Sequence, residues 1–187
     1  MNLQIGAMIL PVYQIVQEGN SVLREKAKPI VRINDAAIRL LNNLRDTLLD
    51  CGRGVGLAAP QIGISKRAFI IAIPDEDIYY EMVNPELIDM EGEEEAWEGC
   101  LSVPGIEGFV QRAVKLRVRY MDREGQTQEM EAEGYMARII QHENDHLDGL
   151  LFKQRTTTYQ AVSPDTGEEA EADTEDSEGS EGSEDGT

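Results

Sequence analysis

The segment RIIQHENDHLDG (138–149) holds both histidines of a 187-residue chain, four positions apart around a glutamate. Positions i and i+4 lie one above the other on a helix face. His142 and His146 can therefore share one metal ion, with Glu143 close enough to act on a bound water. Tyr135, Ile139, His142 and His146 fall on one helical stripe, so both imidazoles continue an apolar face and point inward. A buried imidazole pair without a partner would cost on the order of several kcal/mol, and a metal would satisfy it. The competing reading is a surface helix, or a pair of structural histidines, that happens to spell HExxH.

Charge divides the chain. Of 36 acidic residues, eleven lie in 163–187, which has no Lys or Arg; the remaining 25 face 17 basic residues, about −8 in a total of −19. A segment without large apolar side chains cannot offset its ordering entropy, so 161–187 is expected to be a disordered acidic tail behind one domain over 1–160. Neither part has the basic stripe that nucleic-acid binding needs. Two cysteines 49 positions apart give no disulfide framework and fit a reducing compartment. No run approaches 18 apolar residues, and the N-terminus lacks a secretory signal, so the cytoplasm is expected. Met8 would serve as an initiator as well as Met1.

Residues 34–50 place Ile38, Leu41, Leu44 and Leu48 at helical spacing, with Asn34 or Asp35 to cap the start and Gly52 beyond the end. The glycine-rich stretch GRGVGLAAPQIG reads as irregular. RAFIIAI (67–73) reads as a buried strand, with 78–85 as its hairpin partner. In 113–120, Val114, Leu116, Val118 and Tyr120 face one side, and Lys115, Arg117 and Arg119 face water. After the DREG turn, 126–132 returns as an edge strand, and 135–147 forms the second helix, closed by Gly149. The fold class is α+β: antiparallel strands around a central HExxH helix.

A catalytic site of this kind normally has three protein ligands and one open position. The third ligand of the metzincins would fall on Phe152, which excludes that arrangement. Glu168 or Glu169 could serve in the manner of thermolysin, but both lie in the acidic tail, where no rigid element presents them. Of the cysteines, Cys51 ends a helix, whereas Cys100 lies in a glycine-flanked turn, EEEAWEGCLSVPG, that can aim a side chain at a helix. Chemistry favours Cys100 without eliminating Cys51.

Three stretches, GVGLAAPQ (54–61), EGCLS (98–102) and QHENDH (141–146), occur in that order about 40 residues apart. Together they resemble the signature motifs of the peptide deformylases, over about residues 8–155. The resemblance implies one divalent metal, Fe2+ above Zn2+, Ni2+ or Co2+, on Cys100, His142 and His146. It implies removal of the formyl group from the N-formylmethionine of nascent chains, with release of formate. Glu143 would handle the water's proton, and Gln61 and the backbone N–H of Leu101 would hold the oxyanion. Gly54, Val55, Gly56 and Gly99 would bind substrate. A methionine pocket would draw on Val55, the Ala96–Trp97 segment, Ile139 and His142. A monomer is expected.

Glu107 stands where many relatives carry Arg, and KQRTTTYQAV replaces the start of a C-terminal helix, expected to be short or missing here. Two rivals remain at this point. One is a zinc endopeptidase; the other is a metal- or partner-binding relative without catalysis.

Overall fold

The computed structural model describes residues 12–162. The choice between Met1 and Met8, the acidic tail, Glu168 and Glu169 lie outside the described residues. Two α-helices, α1 (Asp35–Cys51) and α2 (Gly134–Leu147), accompany eight strands. These are β1 (Gly56–Ala58), β2 (Ala68–Ile73), β3 (Ile78–Glu91), β4 (Glu94–Cys100), β5 (Val103–Arg112), β6 (Lys115–Met121), β7 (Thr127–Glu133) and β8 (Tyr159–Ala161). An antiparallel sheet of order β1-β2-β3-β6-β7 carries most of the core, and a smaller sheet, β4-β5-β8, carries one wall of the site.

β2 explains the layering. Its side chains alternate between two apolar clusters, which is why AFIIAI reads as a continuous hydrophobic run rather than an alternating one. Phe69 and Ile71 pack with Met82, Leu116, Val118, Ile140 and Leu147 on the α2 side. Ile70 and Ala72 pack with Leu41, Leu44, Leu48 and Leu57 on the α1 side. Each such leucine contributes roughly 1.5–3 kcal/mol by leaving water. Along α1, Leu40 is buried and Ile38 only half-buried, a small rotation from the expected stripe. Asn34 caps the helix, its Oδ1 accepting from the N–H groups of Ala36 and Ala37 at 3.1 and 3.0 Å.

β6 alternates as expected, Leu116, Val118 and Tyr120 inward, Arg117 and Arg119 outward. Arg119 pairs with Glu129 on β7 at 2.7 Å, at the sheet's outer edge. α2 begins at Gly134, and Gly149 follows its C-terminus with φ 76°. A side chain at Gly149 would meet the Arg24 carbonyl at 2.7 Å, so glycine is needed for close approach as well as for the turn.

Two expectations fail. GVGLAAPQ is not irregular throughout: Gly56–Ala58 pairs antiparallel with Phe69–Ile71, and Ala59–Ile62 forms a 3₁₀ turn. EEEAWEGCLSVPG is a turn only at residues 101–102; the rest belongs to a hairpin, Glu94–Gly99 pairing with Glu107–Arg112. β4 exposes most of its side chains, so its acidic residues sit in water and leave no apolar alternation to read. After α2 the described chain makes a 3₁₀ turn at Phe152–Gln154, and β8 then pairs with Ile106–Gly108.

Candidate metal centre

Cys100 is the last residue of β4. The hairpin register breaks between Gly99, opposite Glu107, and Cys100, opposite Val103, so the strand bends there. That bend brings the thiol to α2. The ligand atoms of Cys100, His142 and His146 all lie within 4.8 Å of one another. Cys100 Sγ is 3.4 Å from His146 Nε2, and the two imidazoles meet edge to face at 5.0 Å. Cys51, at the end of α1, is not part of this cluster.

A carboxylate that the sequence did not single out orients the cluster. Glu98 is buried and accepts from Arg112 Nε and Nη2, both at 2.9 Å, and from Arg138 Nη1 at 2.8 Å. Burial alone would raise its carboxyl, but Arg112 and His142 hold it well below the usual range. Ionised Glu98 only accepts, so His142 Nδ1, 3.0 Å from Oε2, carries the proton. His142 Nε2 is thereby the nitrogen left for a ligand bond, once a metal takes the place of its proton. The ladder continues outward: Arg112 donates to Asp145 at 2.5 Å, and Arg155 holds the same carboxylate at 2.5 and 3.0 Å.

Burial lowers both imidazoles. His146 falls well below its ordinary value, because burial and the charge of His142 act together. His142 goes the other way: burial is outweighed by its contacts with Cys100 and Glu98 and by nearby negative charge, which raise it to about 10. Cys100, His146 and the Glu98 carboxylate thus gather around the positive charge of His142. A divalent cation would supply that charge and leave both histidines neutral donors, so the residue set fits a metal.

Glu143 is buried next to the cluster, and burial pushes its carboxyl up to about 7. Its Oε2 has no hydrogen-bond partner among the described residues. Gly56 makes room for it, since a Cβ there would come within 2.8 Å of the Glu143 Cδ. Gln61 is buried in the 3₁₀ turn. Its Oε1 accepts from the Ala58 N–H at 2.8 Å, which turns its Nε2 toward Ser102 Oγ (3.3 Å) and Cys100 Sγ (3.7 Å).

These groups open onto a cleft of about 640 Å³. Gly54, Val55, Gly56, Gly99 and Leu101 line it, as do Trp97, Glu107, Tyr135 and Ile139. Ala96, expected beside Trp97, does not line it. Trp97 packs at a tilt against Phe109, ring centroids 5.2 Å apart. Tyr135, expected on the apolar face of α2, is 62% exposed at the cleft. A larger cleft of about 1020 Å³ lies around Arg67, Asn144 and Asp148 and holds none of the three ligand residues. Glu98, Arg112, Arg138, Asp145 and Arg155 were missed from sequence. The one available signal was a pair of charges on the motif helix, Arg138 one turn before His142 and Asp145 inside HExxH.

A Cys-His-His cluster, a buried HExxH glutamate and a partly apolar cleft define a metallohydrolase. Residues 12–161 match the profile of the polypeptide deformylase family. The peptide deformylase of Desulfitobacterium hafniense is 49% identical over 143 residues, spanning 76% of this chain and 93% of that one. That of Symbiobacterium thermophilum is 44% identical over 165 residues, spanning 88% and 76%. The crystal structure of a peptide deformylase from Legionella pneumophila superposes with a TM-score of 0.75 at 42% identity, covering 79% of this chain and 87% of that one. That from Thermotoga maritima gives 0.74 at 37%, covering 79% and 99%. The chain belongs to the polypeptide deformylase family. It is a metal-dependent enzyme that removes the N-formyl group from nascent peptides, on the α+β fold expected from its sequence.

Proposed function

We propose that Cys100, His142 and His146 hold one divalent ion, Fe2+ in the cell, with Zn2+, Ni2+ or Co2+ able to replace it. One thiolate and two imidazoles suit these metals. A bound ion supplies a Lewis acid and lowers the pKa of a coordinated water. Glu143, raised toward neutrality by burial, would accept a proton at its carboxylate from the attacking water and later deliver it to the leaving amine. Gln61 Nε2 and the Leu101 N–H donate to the oxygen that becomes negative when the formyl carbon is attacked. Gln61 suits this role because its amide is turned by Ala58 before substrate arrives. Val55, Trp97 and Ile139 receive the methionine side chain, and Gly54, Val55, Gly56 and Gly99 flank the peptide backbone.

Residues 1–160 act as one catalytic domain, monomeric and cytoplasmic, with the acidic segment outside it. Among the described residues no helix is long and apolar enough to cross a membrane. The reading rests on one observation: Cys100 and His142 of the ligand cluster, Glu143 and Gln61 converge on the same cleft. The test is formate release from formyl-Met-Ala-Ser by the nickel-loaded protein. Rapid release, abolished in Glu143→Ala, is expected. Metal binding without release would overturn the catalytic roles, and equal cleavage of unformylated peptides would restore the endopeptidase alternative. Activity of the iron form should decay in air, because thiolate and ferrous iron both oxidise.

A further inference from the structure

The cations of this chain are unevenly satisfied. Of its 17 Lys and Arg, twelve reach a carboxylate within 4.0 Å, and Arg53 is itself engaged. Lys28, Arg32, Arg39 and Lys66 have no ion pair among the described residues, although the chain holds 36 acidic side chains. These four are neighbours. Arg32, Arg39 and Lys66 line a groove of about 660 Å³ beside α1, and Lys28 adjoins Lys66 through a short parallel bridge. No Asp or Glu lines that groove. The first turn of α1 does, at Ala36 and Ala37, and adds the positive end of the helix dipole.

Between the cations the lining is largely aliphatic. Ile30, Ala37, Leu40 and Ile64 lie in it and continue into the core on the α1 side. Val31, in the same lining, is 96% exposed, so covering it would remove apolar surface from water. The groove shares no lining residue with the reaction cleft, and the deformylase chemistry makes no use of it.

We infer that this groove docks an acidic amphipathic helix of a partner protein. The helix lays its apolar face on Val31, Leu40 and Ile64 and turns its carboxylates to the four cations. Helices of this kind seat in apolar grooves through residues one turn apart, and complementary charge fixes their orientation. A nucleic acid would use the cations alone. Its phosphates gain nothing from an aliphatic lining, and Tyr13 is the one aromatic ring there on which a base could stack. The inference concerns a face apart from the ligand cluster and stands independently of the chemistry proposed for it.

The test is fluorescence anisotropy of a labelled amphipathic peptide, ELLEELLEELLE, titrated with the full nickel-loaded chain at low salt. Saturable binding is expected with a Kd on the order of 10 μM, weakened about tenfold when salt rises to about 0.5 M. Arg32→Glu combined with Arg39→Glu should weaken it about tenfold or more, and Val31→Ser about threefold. Both variants should release formate from formyl-Met-Ala-Ser at the parental rate, which shows that they fold. Equal binding of QLLQQLLQQLLQ, parental affinity in the charge-reversed variant, or no saturation by about 1 mM would each overturn the inference. Tighter binding of a uridine dodecamer, lost in the charge-reversed variant, would overturn it in favour of a nucleic acid. A doubling of mass in sedimentation without peptide, lost in Val31→Ser, would overturn it in favour of a second copy of this chain.

Discussion

At the scale of single residues, the site depends on groups whose partners are far away in the chain. Glu98 reaches Arg112, Arg138 and His142 across 14, 40 and 44 positions. No local spacing announces it, and its charge alone reads as one more surface glutamate in an acidic run. The ligand histidines differ, because their i, i+4 spacing is itself the geometry. Glu98→Gln keeps the size but removes the charge that two buried arginines meet. Zinc transfer from this variant to a chelator should be about 10–100-fold faster than from the parent. An unchanged rate would reduce Glu98 to a packing role. The variant should also melt at lower temperature, since leaving a buried partner unpaired costs roughly 3–5 kcal/mol. Gln61→Ala removes a fixed donor, and kcat should fall about 10²–10³-fold with KM little changed. A loss confined to KM would mean that Gln61 only binds substrate.

At the scale of elements, legibility follows burial pattern. α1, α2, β2 and β6 each bury a regular stripe or run, and each was readable. β4 and β1 were not. β4 is held by its ladder to β5 while its side chains meet water, and β1 is three residues of glycine-rich chain whose pairing partner supplies the order. That shortness matters to the chemistry, because β1 carries Gly56 against Glu143. Gly56→Ala should displace the carboxylate and lower kcat by about 100-fold while far-ultraviolet dichroism stays unchanged. Parental kcat in this variant would show that Glu143 tolerates the shift. As a contrasting control of pure stability, Asn34→Ala removes the α1 cap. It should cost about 1 kcal/mol, or roughly 2–4 °C in melting temperature, with kcat untouched.

At the scale of the molecule, the ligands join parts that are otherwise separate. Cys100 belongs to the smaller sheet, and both histidines belong to the helix that packs on the larger one. A bound ion is therefore a crosslink, and anything that binds only the folded state stabilises it by mass action. Stripping the metal should lower the melting temperature by several degrees, and Cys100→Ser should start low and show no further drop with chelator. Equal drops in both would place the tight site elsewhere. The register break at Gly99 and Cys100 has a further consequence. Side chains alternate along a strand, so one residue gained or lost between Glu98 and Glu107 would swing the thiol to the far side of the hairpin. This stretch should therefore accept changes of letter far more readily than changes of length. In the genealogy of such chains its gaps, rather than its substitutions, would mark where the enzyme was lost.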